Sequence, residues 1–513
     1  MMRRWLPLLA ISLSTFMLLV DLTIVSIAAP AIAAGLHSSF SALQWTVDLY
    51  VLVLAALMLA AGSISDLVGH RRVFVAGLVI FAVASLACGL APSTAVLITA
   101  RGVQGVGAAA MYATNAALLG TTYSGRDRSV AFGVWGAANG AAAAAGPILG
   151  GLLTEQVGWR AIFLVNLPVA VVAVLVALRA IGESRGPAGG RVDVPGAGTF
   201  TLAATLLVYG LIRAGEHGWT DPYTVGVFVA GGAIALLFLL LERGRTNPML
   251  DLTLFRRPAF SILMLGGAVL TASAFANLVF VSLWTQSVLG LSPMAAGLVL
   301  TPLAAVAFVV AGAGGRLLHN VAPRHAIGGG LLLIGAGTLL GMLIGPDSGW
   351  AALVPELCLT GLGVGLASPV LASAALSAAP PHRAGMANAA MNTFRQLGYA
   401  IAIPILATLA AGQARRVLAA SGSFPDPGVA ATDLTGGAYP DLLARTTTGT
   451  HQAVEHVLRS AYTAGLDRIF LISGIMALVA GAAVLALVRP ATRSEQSPAP
   501  NSVAAQAPSA TIT

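Results

Sequence analysis

The chain has 513 residues, of which 9% are charged and 57% hydrophobic, with a mean hydropathy of +0.87. Soluble domains carry about 25% charged residues, so a string of soluble domains is excluded: too few polar groups exist to cover their surface. The 27 basic residues are all arginine and set a formal net charge of +8. In a polytopic membrane protein this reads as arginine in cytoplasmic loops rather than as a nucleic-acid footprint.

A helix needs about 20 apolar residues to cross a bilayer. Fourteen such stretches follow one another, at 6–34, 43–64, 73–91, 95–120, 130–153, 160–181, 195–213, 223–242, 259–286, 293–315, 325–345, 350–377, 387–412 and 466–489. With the N-terminus inside, 18 arginines fall on the inner side, only Arg160 and Arg213 fall at short outer loops or helix ends, and Arg101 and Arg395 lie within spans. The long outer segment holds Arg415, Arg416, Arg445, Arg459 and Arg468 and is near the length where charge bias loses force. That asymmetry predicts fourteen crossings with both termini cytoplasmic. The first span, with Arg3, Arg4 and the small residues Ala28 to Ala34, also has the outline of a secretory signal peptide, but its length and Asp21 favour a retained helix. Segment 413–465 is a polar outer loop with a short helix expected near 451–464. Cys88 and Cys358 lie in apolar runs and form neither a disulfide framework nor a metal set.

Asp21 is placed towards mid-membrane, as a proton or cation site or as a structural polar residue. Asp48 lies near the outer boundary between Trp45 and Tyr50, as a partner for Arg101 or as an interfacial residue. The loop after the second span carries Gly62, Asp66, Gly69, His70, Arg71 and Arg72. An aspartate beside a basic cluster can form an ionic latch; the plainer reading is a positive-inside anchor with a solvated acid. In the fourth span, Arg101 stands before Gln104, Gly105 and Gly107. A central arginine in a membrane helix is costly and needs a buried acceptor, for which Asp21 and Asp48 are the candidates. The fifth span carries Gly133, Asn139, Gly146, Pro147, Gly150 and Gly151, in which proline removes a backbone donor and the small residues allow close packing, a pliable hinge. Asn115, Asn139, Asn277, Asn392, Arg395 and Gln396 are candidate cavity residues, and Glu356 either faces the cavity or pairs with a local donor.

These segments resemble the signature motifs of the major facilitator superfamily, and more narrowly its fourteen-helix drug:proton antiporters, which include quaternary-ammonium and methylenomycin-type resistance exporters. Gly62, Asp66, Gly69, Arg71 and Arg72 match the loop motif, and Arg101, Gln104, Gly105 and Gly107 the fourth-helix motif. Gly133, Gly146, Pro147, Gly150 and Gly151 match the antiporter motif, and Asp21 the acidic first-helix motif. Arg395-Gln396-Leu397-Gly398 after Asn392 is similar to the second-half signature. Leu67 and His70 depart from the basic loop positions, Ala142 replaces one glycine, and the second loop motif near Gly315 to Arg324 is degenerate.

The resemblance implies an all-α fold of two six-helix bundles, 1–182 and 258–490, the latter with the outer loop 413–465. Two inserted helices and their flanking loops occupy 183–257, and a disordered cytoplasmic tail 491–513. It implies a monomeric, cofactor-free secondary transporter in the bacterial cytoplasmic membrane that exports lipophilic, in some cases cationic, small molecules against protons. In this scheme Asp21, Asp48, Arg101 and Glu356 couple the proton and the loop motif is the cytoplasmic gate. Export of a self-made metabolite and proton-linked uptake are the alternatives. No HExxH, GxSxG or nucleotide-binding Walker sequence suggests an enzyme.

Overall fold

The computed structural model describes residues 2–38, 40–185, 193–245, 248–317, 321–378, 384–444 and 451–488, and among them every regular element is helical. In chain order these are α1 (Met2–Leu36), α2 (Phe40–Val68), α3 (His70–Gly89), α4 (Thr94–Thr122), α5 (Gly125–Gln156), the short α6 (Ala161–Leu164) and α7 (Asn166–Ala180). Then come α8 (Val194–His217), α9 (Pro222–Arg243), α10 (Pro258–Ala274) and α11 (Asn277–Leu283), which runs on into a π turn at Trp284–Val288. The remainder is α12 (Pro293–Leu317), α13 (Pro323–Leu340), α14 (Val354–Ser377), α15 (Ala384–Ser421), α16 (Pro427–Thr435), α17 (Tyr439–Ala444) and α18 (His451–Leu487).

Among the described residues, twelve helical stretches are long and apolar enough to cross a membrane by length and composition. The two other long helices, α4 and α5, coincide with the expected spans 95–120 and 130–153; they are richer in Gly, Ala and polar side chains, which lowers their mean hydropathy. The reading of 413–465 as a loop is corrected. α15 continues to Ser421, α16 and α17 follow, and the short helix expected near 451–464 is the first part of α18. The segment folds because it has an apolar face to bury: Ala414, Leu418, Ala430, Ala431, Leu434 and Leu442 are all in the core. The tail expected to be disordered, 491–513, lies outside the described residues.

With no hydrophobic force between helices in lipid, close packing must come from small residues that let backbones approach. α3 crosses α4 at Gly77 and Gly107, where a Cβ on Gly107 would stand 2.6 Å from the Phe81 amide nitrogen and 2.7 Å from the Gly77 carbonyl oxygen. In the second half α13 crosses α18 in the same manner: a Cβ on Gly481 would stand 2.9 Å from the Gly328 carbonyl oxygen. α8 and α9 form an antiparallel pair joined through Phe200–Phe238 and Tyr209–Tyr223 contacts. Asp193 and Asp221 cap their N-termini by accepting from Gly196 N and Thr224 N, and the Thr224 amide holds the Asp221 carboxyl below the usual carboxylate range. This pair lies against the seam between the halves, with Tyr209 on Trp45 of α2 and Gly215 beside Thr408 of α15.

Gly107→Ala is expected to cost about 1–3 kcal/mol, because the new methyl meets backbone rather than a movable side chain. Gly226→Ala, in α9 with nothing within 4 Å of the added carbon, is the control. Thermal unfolding in detergent checks this: the Gly107 variant melts lower and the Gly226 variant does not.

Candidate functional site

Arg101 is fully buried, and so is Asp21. The Arg101 Nη1 donates to Asp21 Oδ2 at 2.5 Å and to Gln104 Oε1 at 2.7 Å, one helical turn along α4. Gln104 Nε2 returns to Asp21 Oδ1 at 2.9 Å and also donates to Ser85 Oγ on α3 at 2.8 Å. Asn166 Nδ2, at the start of α7, donates to the same Asp21 oxygen at 3.0 Å. The Arg101 Nε donates to the Thr46 carbonyl of α2 at 3.1 Å, and its guanidinium carbon lies 3.9 Å from the Tyr50 ring centroid. One ion pair therefore gathers α1, α2, α3, α4 and α7. Of the two candidate acceptors Asp21 is the one used. Ser85 and Asn166 were not singled out from sequence; a lone Ser or Asn in an apolar run carries no local signal of its partner.

Asp48 is fully buried but stands apart from Arg101. Neither carboxylate oxygen meets a donor in hydrogen-bonding geometry among the described residues. Glu356, in the first turn of α14, accepts from Thr360 Oγ1 at 3.3 Å, which is the local-donor reading, and it does not line the central cavity.

The loop motif is wired differently from the simple Asp66 latch. Asp66 faces His70 at 3.6 Å. Arg71 and Arg72 instead reach Glu183, after α7, at 3.8 and 3.6 Å, and Arg71 N donates to Glu183 Oε1 at 3.1 Å. Gly69 has φ of +121°, a conformation side chains avoid, and the Glu183 carboxylate occupies the space a Cβ would take. Glu183 was missed because its role depends on α7 ending beside this loop. Gly62 has open space around it.

A cavity of about 290 Å³ lies between the halves. α1 lines it with Leu19, Leu22, Thr23 and Ser26, and α5 with Trp135, Gly136 and Pro147. Asn388, Asn392, Arg395, Gln396 and Tyr399 face it from α15 at spacings of three and four residues, one polar stripe on one helical face. Of the predicted cavity residues, Asn392, Arg395 and Gln396 line it. Asn115 does not: its amide donates to Thr15 Oγ1 at 2.8 Å, and Thr15 also accepts from Trp135 Nε1 at 2.7 Å, so Asn115 sets a cavity wall indirectly. Asn277 is buried away from the lining, and the side chain of Asn139 lies outside those described.

The α5 glycines separate by role. Gly146 and Gly150 pack on Thr23 and Ile24 of α1, and Gly151 packs on Pro293 and Met294 of α12, while Gly133 has no neighbour within 4 Å. In α4, Gly105 abuts the Tyr50 carbonyl and Gly107 abuts α3. At the cavity end remote from Met2 the halves are tied together. Ser282 Oγ donates to the Ser26 carbonyl at 3.2 Å, and Gln286 Nε2, in the π turn, donates to the Ile27 carbonyl at 3.0 Å.

Residues 11–403 match the Major Facilitator Superfamily. The chain is 35% identical over 408 residues to the multidrug resistance protein Stp of Mycobacterium tuberculosis, covering 79% of this chain and 76% of that one. It is 34% identical over 511 residues to the tetracenomycin C resistance and export protein of Streptomyces glaucescens, covering 97% and 94%. Among solved structures, a bacterial homologue of the lysosomal transporter Spinster, in an inward-facing and unoccupied conformation, shares the fold with a TM-score of 0.61 at 18% identity, over 94% of this chain and 97% of that one. A peptide transporter bound to sulfate does so with a TM-score of 0.62 at 15% identity, over 94% of each. The chain is a multi-pass membrane transporter of the major facilitator superfamily.

Proposed function

We propose that the protein exports lipophilic drugs or antibiotics across the bacterial cytoplasmic membrane in exchange for protons, by alternating access, as a monomer with fourteen crossings and both termini inside. The observation that carries this is the position of Asp21. It sits in a sealed ion-pair cluster on α1, the helix whose next turns line the cavity. A buried carboxylate balanced against a guanidinium can take up or release a proton when the helices around it shift. A proton and a substrate that favour different arrangements of α1 are then coupled through the differential affinity of those arrangements. The names of the relatives support export: Stp is a multidrug resistance protein and the tetracenomycin protein a resistance and export protein.

The arginine asymmetry places Met2 inside, so the end tied by Ser282 and Gln286 is the outer one and the Arg71–Arg72–Glu183 cluster is cytoplasmic. No cofactor is required: the proton gradient drives the exchange.

Inverted membrane vesicles with a pre-set pH gradient test this. Lipophilic drugs should collapse the gradient in the wild type, and Asp21→Asn should abolish that collapse. Drug movement that persists in Asp21→Asn and ignores the gradient would remove the proton role of Asp21. Independently, Asp21→Asn strands a buried guanidinium and should lower stability by about 3–5 kcal/mol. Combining it with Arg101→Gln should recover part of that loss, read as a rise in the detergent melting temperature above that of the single variant.

A further inference from the structure

The export reading leaves the charge of the cavity unused. Among the described residues that line it there is no carboxylate, and Arg395 is the one ionised side chain on its wall. The α5 side chains left undescribed at 137, 139, 140, 143 and 144 are Ala, Asn and Gly. Asp21 is committed to Arg101, Glu356 is held by Thr360, and neither they nor Asp48 reach the lining.

Arg395 is built into this position. Its Cγ packs over Gly267 of α10, 3.1 Å from where a Cβ there would stand, and its carbonyl accepts from Thr271 Oγ1 at 2.5 Å. The stem is fixed, yet the guanidinium has no hydrogen-bond or ion-pair partner among the described residues. Tyr112 of α4 lines the same cavity from the facing half. Arg101, by contrast, is paired with Asp21.

We infer that Arg395 is the charge-recognition residue of the substrate site, and that the cargo is a lipophilic organic anion, a carboxylate or acidic phenol on an apolar body, rather than a lipophilic cation. This rests on the export reading of the same cavity. A guanidinium stays charged throughout the physiological pH range and pairs with a carboxylate through two parallel charge-assisted hydrogen bonds. Apart from the α15 stripe and a few hydroxyls the walls are mostly apolar, so the attraction is screened less than in bulk water and the repulsion of a cation likewise. The Tyr112 hydroxyl and Gln396 amide supply further donors from opposite halves, so an anion bound between them contacts both.

The test uses the purified full-length protein and anthracene carrying a carboxylate, a hydroxymethyl or a trimethylammoniomethyl group, with binding followed by tryptophan fluorescence. The wild type should bind the carboxylate about tenfold or more tighter than the alcohol, and the ammonium most weakly, as expected for one charge-assisted contact. Arg395→Gln should erase the carboxylate preference while alcohol binding stays, and Arg395→Lys should keep most of the preference. An ammonium bound as tightly as the carboxylate by the wild type, or a carboxylate-to-alcohol ratio unchanged in Arg395→Gln, overturns the inference. Efflux of the same probes separates the two readings. Vesicles that move the alcohol and the ammonium but not the carboxylate leave export standing and remove the anion assignment. A wild type that neither binds nor moves any of the three removes both.

Discussion

A guanidinium with no solvent contact is tolerated in a membrane helix only where a counter-charge and hydrogen-bond acceptors are already in place, and the first half of this protein is organised by that requirement. The desolvation penalty of two buried charges is recovered only when the geometry is good and the remaining polar atoms are satisfied. Arg101 approaches the condition through five helices. Asp21 from α1, a carbonyl and an aromatic face from α2 and Gln104 from its own helix touch it, while Ser85 from α3 and Asn166 from α7 hold Gln104 and Asp21 in turn, and Nη2 alone is left without a hydrogen-bond partner. Displacing any one of these helices alone would break the hydrogen-bond network around the pair. The first half is therefore constrained to move as one body, which is the mechanical precondition for rocking against the second.

Among the described residues the second half has no such centre. Its helices meet through glycine pairs, and Arg395 turns into the cavity instead of towards an acid. In the proposed scheme the halves divide the work: one stores a charge pair away from the cargo, the other presents a charge to it. Between them α5 is wedged by small residues, with Gly146 and Gly150 on α1 and Gly151 on α12. The helix that carries the hinge proline touches both halves and lines the cavity through Trp135 and Pro147, so cargo, hinge and halves share one surface.

Much of this could be read from the sequence, and the limits have a physical origin. Membrane helices announce themselves through length and hydropathy, and the need of Arg101 for an acid follows from solvation energy alone. The choice between Asp21 and Asp48 did not follow, because both lie at plausible depths and only the azimuth of α1 and α2 around α4 decides. Ser85, Asn166 and Glu183 were invisible for the same reason: each acts through a neighbour more than sixteen positions away in sequence. The polar look of 413–465 hid three helices, since their buried face is mostly alanine and leucine spaced among charges. The motif glycines were legible as a group but not in role, because Gly133 and Gly151 differ only in what stands opposite them.

Asp21 does not line the cavity, so a proton there and a cargo at Arg395 cannot compete for one carboxylate. Coupling between them must pass through the placement of α1, whose Leu19, Leu22 and Thr23 touch the cavity while Asp21 faces the sealed cluster. This separation removes the usual reason for a multidrug cavity to need a cationic cargo, namely displacement of a proton from a shared acid. It also fits the direction of transport. An anion leaving a cytoplasm that is negative inside gains about 2.3 kcal/mol per charge for each 100 mV, a gradient of roughly 50-fold at about 1.4 kcal/mol per decade. With Arg395 the one ionised side chain among the described lining residues, the proposed anionic cargo belongs to the class of lipophilic molecule that the membrane potential itself helps to expel, and the proposed proton exchange would add to that drive rather than oppose it.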